Sequence, residues 1–136
     1  EITESLLMED IETTIKTLLR LKNIGVTISI DDFGTGYSSL SYINKLPVDT
    51  LKIDKSFIDG LPTTENDSVI VSSILGLASS LRLKTVAEGV ETQEQKDFLS
   101  VLGCDTIQGY LYSEPIPENE FFFKFGKLQN YSQNLS

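Results

Sequence analysis

Val26-Thr27-Ile28-Ser29-Ile30 runs into Asp31-Asp32-Phe33-Gly34-Thr35-Gly36, so an alternating β-branched run meets an acidic, glycine-rich segment. The alternation predicts a strand over 26–30, and the glycines predict a loop at its C-terminal end. Upstream, Leu7, Ile11, Ile15 and Leu18 make a helical stripe within residues 5–23, which Gly25 can close. Glu1-Ile2-Thr3-Glu4 reads as the end of an earlier strand. Downstream, a short helix is expected over 38–46, stopped by Pro47, before a strand over 50–54. Ile70, Ile74, Leu77 and Leu81 fall on one face of a helix over 66–81, and Thr85-Val86-Ala87 follows as strand. Thr92 and Gln95 suit a capping box for a helix carrying Phe98, Leu99 and Leu102, closed at Gly103. A last strand starts at Thr106-Ile107, and Pro117 suits the first helical residue of a helix bearing Phe121, Phe122 and Phe125. Strands alternating with helices predict βα units and a parallel sheet covered by helices.

Composition narrows the chemistry. The chain has 136 residues, too short for a complete (β/α)8 barrel of about 250. Its 11 basic and 20 acidic residues give a net charge of -9, which disfavours DNA and anionic lipid as partners. With no histidine, Ser-His and Cys-His nucleophiles and His-based zinc sites are excluded, leaving carboxylates, lysine and metal. Cys104 is the only cysteine, so no internal disulfide forms, and it reads as a small apolar residue in a reducing compartment. No apolar run approaches the roughly 20 residues of a membrane helix, and the segment is expected to be cytoplasmic without direct membrane contact. A first residue of Glu1 and its strand-like start read as a cut from something longer, so an upstream anchor stays open. The tail, 129–136, is polar and expected to fray.

Unusual polar residues gather in or after the strands: Asp31 and Asp32, Lys52 and Asp54, Glu88 and Glu91, Gln108. In parallel α/β proteins that edge binds ligands. If the strand ends in a glycine turn at Asp31-Asp32, both carboxylates can converge on a hard divalent cation; the alternative is a loop cap beside a solvated carboxylate. Lys52 lies between Leu51 and Ile53, so it faces away from the helices if those two pack beneath them; the alternative is an exposed edge strand. Glu88 and Glu91 flank Gly89 and either join a site or complement the N-terminus of the next helix. Clustered carboxylates repel one another unless a cation neutralises them, and a metal would let so acidic a chain hold a phosphate.

Together, Glu1-Ile2-Thr3-Glu4, Asp31-Asp32-Phe33-Gly34-Thr35-Gly36-Tyr37-Ser38-Ser39-Leu40, Leu51-Lys52-Ile53-Asp54, Ala87-Glu88-Gly89-Val90-Glu91 and Gln108-Gly109-Tyr110 resemble the EAL family of cyclic diguanylate phosphodiesterases. The resemblance implies a TIM-like (β/α) barrel, of which residues 1–128 form the C-terminal half. It implies that Glu1, Asp31 and Asp32 bind Mg²⁺ or Mn²⁺ in a two-metal site, with Asp31 between the ions. Lys52 would contact the attacking water and scissile phosphate, and Glu88 would bind metal or act as general base. Glu91 and Gln108 would hold water or support the ligands, Glu4 would steady the loop, and Gly34 and Gly36 would shape it near the substrate. Two metals can activate water near neutral pH and stabilise both oxygens of an in-line displacement, giving linear 5′-pGpG.

The family's Glu-x-Leu segment, its substrate-contacting arginine and a metal-binding asparagine have no counterpart among these residues. An active parent enzyme and an inactive isolated fragment are therefore expected, with a homodimer and an upstream GGDEF or sensory domain as partners. The alternative within the resemblance is a non-catalytic cyclic diguanylate receptor. A phospho-receiver domain fits poorly, because Lys52 comes one strand after the acidic pair instead of at the last strand.

Overall fold

A computed structural model describes residues 1–3, 10–35 and 43–126. In chain order the elements are β1 (Ile2–Thr3), α1 (Ile11–Asn23), β2 (Ser29–Phe33), β3 (Thr50–Ile53), α2 (Lys55–Ile58), α3 (Glu65–Leu81), β4 (Lys84–Glu88), α4 (Gln93–Val101), β5 (Thr106–Gln108) and α5 (Glu118–Phe125). The five strands form one parallel sheet in the order β1-β2-β3-β4-β5, so every strand lies beside its sequence neighbour. This is the expected parallel α/β architecture.

Local chemistry sets the boundaries. Helix α1 starts at Ile11, where the Asp10 carboxylate caps it by accepting from the Thr13 N–H, and residues 5–9 of the expected stripe lie outside the described residues. Gly25 closes it with φ +87°, a conformation open to glycine. Strand β2 lies three residues later than the alternation suggested, running through both aspartates. The reason is pairing: Thr3 is opposite Asp31 on one side and Ile53 opposite Phe33 on the other, and this holds the backbone extended. The Thr92–Gln95 capping box forms as expected. Pro117 is the N-cap of α5 rather than its first helical residue. The short α2, absent from the sequence expectation, follows an Asp54 cap whose carboxylate accepts from the Ser56 N–H. Most of the helix expected over 38–46, with the 129–136 tail, lies outside the described residues.

The core lies between the sheet and its helices. Ile30, Leu51, Ile53 and Ala87 on the strands and Val71 and Ala78 on α3 are 0% exposed. The inward face of α3 is Val71, Ile74, Leu75 and Ala78, while Ile70, Leu77 and Leu81 flank it half-buried. The four-three-four spacing thus identified the helix but placed its buried face about one residue out.

Two aspartates tie the strands at their N-terminal ends. Asp49 accepts from the Ile28 N–H at 2.8 Å and pairs with Lys22. Asp105 accepts from the Thr85 N–H at 2.8 Å and its hydroxyl at 2.9 Å. Each sits just before one strand and satisfies the start of the neighbouring one, meeting backbone donors that would otherwise lack partners.

Candidate metal centre

The opposite, C-terminal ends of β2, β3 and β4 converge on one group of charges. Leu51 and Ile53 point into the helix-covered core, so strand alternation sends Lys52 to the other face. There its Nζ lies 2.7 Å from Glu88 Oε1, 2.9 Å from Asp31 Oδ1 and 3.0 Å from Glu1 Oε1. The Lys52 side chain is 10% exposed, against 25% for Asp31, 21% for Glu88 and 59% for Glu1. Burial opposes its charge, but hydrogen bonds to Glu88, Asp31 and Glu1 outweigh it and raise the pKa above the ordinary lysine value. Lys52 is therefore an ammonium, and the edge-strand alternative is excluded.

Asp31 and Asp32 reach the same place by a bulge. Ile30 pairs with Leu51 and Phe33 with Ile53, so three steps along β2 face two along β3. The extra residue returns Phe33 to the core beside Ile30, although their odd spacing would put them on opposite faces of a regular strand. Asp32 takes φ +54°, in the left-handed region that aspartate tolerates better than most residues. Convergence of the two carboxylates thus involves irregularity inside the strand, which runs directly into a turn closed by the Thr35 N–H to Asp32 C=O bond with Gly34 at φ +99°. Asp31, Asp32 and Glu88 each bring a carboxylate oxygen to within 4.8 Å of the others. One ammonium among these carboxylates leaves a surplus of negative charge, and an all-oxygen donor set of this kind suits Mg²⁺ or Mn²⁺.

The remaining expected residues divide. Glu91 lies outside the cluster: its Oε1 accepts from Lys55 Nζ at 2.8 Å and its N–H donates to Gln95 Oε1 at 2.8 Å. Gln108 is in register with Glu88 on the next strand, and its backbone C=O accepts from the Val90 N–H at 3.0 Å. Gln108 lines an open groove with Tyr110, Tyr112 and Phe121, so Tyr110 is a wall residue, 58% exposed. Gly34 has φ +99° and lies where a Cβ would stand 3.0 Å from the Phe57 ring and 3.1 Å from Ile74. Glu4 and Gly36 lie outside the described residues. Cys104 is half-buried, with its thiol pKa raised first by burial, which fits an inert side chain. Sequence reasoning missed Lys55 and the wider role of Gln95, because neither residue type carries a signal apart from its partners.

The profile of the EAL domain matches residues 1–115 of the chain. The chain belongs to the EAL family. It is 52% identical over 117 residues to the cyclic di-GMP phosphodiesterase NbdA of Pseudomonas aeruginosa, covering 86% of this chain and 15% of that protein. It is similar to the Pseudomonas aeruginosa MucR phosphodiesterase solved as a c-di-GMP complex, with TM-score 0.84 and 49% identity over 88% of this chain and 49% of that one. It is also similar to Klebsiella pneumoniae BlrP1 solved as a manganese/cy-diGMP complex, with TM-score 0.76 and 34% identity over 83% of this chain and 29% of that one. The EAL segment thus spans a small part of its curated relatives and about half of the solved MucR chain. Its five parallel strands and covering helices form part of a TIM-like barrel.

Proposed function

We propose that the protein carrying this EAL segment hydrolyses cyclic diguanylate to linear 5′-pGpG with Mg²⁺ or Mn²⁺. The observation that carries the reading is the Asp31, Asp32 and Glu88 oxygen cluster around Lys52, built on three adjacent strands of an EAL fold. Asp31 and Asp32, with Glu1, would hold the cations, and Glu88 would bind metal or take a proton from water. Bound there, divalent ions lower the pKa of water and offset the charge that grows on the phosphate oxygens. Lys52, fixed as an ammonium, has the charge to attract a phosphate and to orient water beside Glu88. Glu91 and Gln108 are assigned supporting roles, holding Glu88 and nearby water in place, and Glu4, Gly34 and Gly36 are assigned the loop-stabilising and substrate-loop roles that the family resemblance implies. The likeness to a manganese/cy-diGMP complex supports both the ion class and the substrate.

MucR is named a bifunctional diguanylate cyclase and phosphodiesterase, which supports a GGDEF or sensory domain upstream of this segment; a homodimeric parent is part of the same proposal. The segment by itself, without the Glu-x-Leu residues, is assigned no turnover. Incubating the full-length protein with Mg²⁺ or Mn²⁺ and cyclic diguanylate should release pGpG, resolved by chromatography. Tight metal-independent binding with no product would replace the phosphodiesterase reading by a receptor one.

A further inference from the structure

We infer that Lys55 is a positioning residue that sets the place of Glu88 by bracing the β4–α4 loop; the role rests on the metal-dependent reading above. Lys55 is the first residue of α2, three residues after Lys52, and its head joins two carboxylates, Asp59 Oδ1 at 2.6 Å and Glu91 Oε1 at 2.8 Å. Its stem lies against Gly89, the residue directly after Glu88. A Cβ built on Gly89 would stand 2.4 Å from Lys55 Cγ and 2.6 Å from Cδ, so the lysine methylenes fill the space that glycine leaves. Gly89 has φ +71°, so both its backbone and its surroundings exclude a side chain. Lys55 therefore crosses the loop from Gly89 to Glu91 while its backbone continues the strand that carries Lys52.

A second brace runs parallel to it. Gln95 is 4% exposed; its Oε1 accepts from the Glu91 and Thr92 N–H groups, and its Nε2 donates to the Ile58 C=O at 3.0 Å. Both braces join α2 to the loop after Glu88. Lys55 and Glu91 are each about half exposed, so their pair adds little to stability, and its consequence is geometric. Residues that orient metal-ligating carboxylates typically change metal affinity or activity 10–100-fold when removed.

The test uses the full-length protein and measures Mn²⁺ affinity by calorimetry alongside cyclic diguanylate turnover and melting temperature. K55M should weaken Mn²⁺ binding and lower kcat by about tenfold, with KM and melting temperature little changed. K55R should restore most of the loss, and K55M/E91Q should be no worse than either single variant, because both remove one link. Mn²⁺ affinity for K55M within about twofold of wild type, or single-variant losses that multiply in the double variant, would overturn the inference. Wild-type protein that binds Mn²⁺ but leaves the dinucleotide intact refutes the phosphodiesterase reading, and Lys55 is then judged on the metal affinities. Wild-type protein that binds no Mn²⁺ refutes both.

Discussion

Replacing Lys52 with methionine keeps the stem and removes the ammonium that, among the described residues, pairs with Glu1, Asp31 and Glu88. Breaking a fully buried ion pair from one side costs about 3–5 kcal/mol, because the partner is left charged and unpaired. Here Asp31 and Glu88 keep 25% and 21% of their exposure, so water relieves part of that cost, and Glu1 at 59% adds little. The expected loss is about 2–3 kcal/mol in metal-free protein at neutral pH. Urea unfolding in EDTA, extrapolated linearly to zero denaturant, measures it. Adding Mn²⁺ should return more stability to K52M than to wild type, since the cation then neutralises carboxylates that no ammonium shares. Turnover should not return with it.

The pH dependence has a definite sign. The folded state raises the Lys52 pKa, so the contribution is complete below the ordinary value of 10.5 and fades as pH climbs beyond it. Wild type should lose this increment above pH 10.5, and K52M should have none to lose. Metal-free stabilities of the two proteins within about 0.5 kcal/mol of each other, or equal gains from Mn²⁺, would refute the electrostatic account.

Three further outcomes follow from geometry. D32N should weaken Mn²⁺ binding while tolerating the left-handed backbone, whereas D32V should also lose about 1–2 kcal/mol in denaturant unfolding, because φ +54° opposes a β-branched residue. G109A would place a Cβ 2.1 Å from the Val90 carbonyl oxygen, a backbone atom that cannot swing aside. It should cost about 1–3 kcal/mol and speed hydrogen exchange at the Val90 and Leu111 amides, which bond across that contact. The Asp49 pKa is lowered first by its Lys22 hydrogen bond and then by the Ile28 N–H. Its contribution is therefore present above the ordinary value of 3.8 and lost as pH falls through the lower folded value, and D49N should flatten that part of an acid-unfolding curve.

The parallel βα order was legible because local pattern and tertiary role agree: α3 carries a helical stripe and β3 alternates around Lys52. Spacing could give neither the bulge at Asp31-Asp32 nor the late start of β2, since both arise from pairing with two neighbours at once. A trace of the bulge does lie in the sequence. Ile30 and Phe33 are both core residues at an odd separation, which a regular strand cannot provide. Grouping Lys52 with Asp31 and Glu88 followed from their shared position near strand ends. Glu91 shows the limit of that logic: it stands at the same edge, yet its head turns to Lys55, whose position depends on a four-residue helix too short to leave a periodic signal.

Asp49 and Asp105 tie strand starts at the end of the sheet remote from Asp31, Asp32 and Glu88. A chemist exchanging the residues around Lys52 for another specificity would leave those fasteners untouched. Substitutions at the charged end then sample new reactivity on a scaffold whose cohesion is secured elsewhere, and damaging changes at Asp49 or Asp105 should erode yield of folded protein before they alter what it recognises.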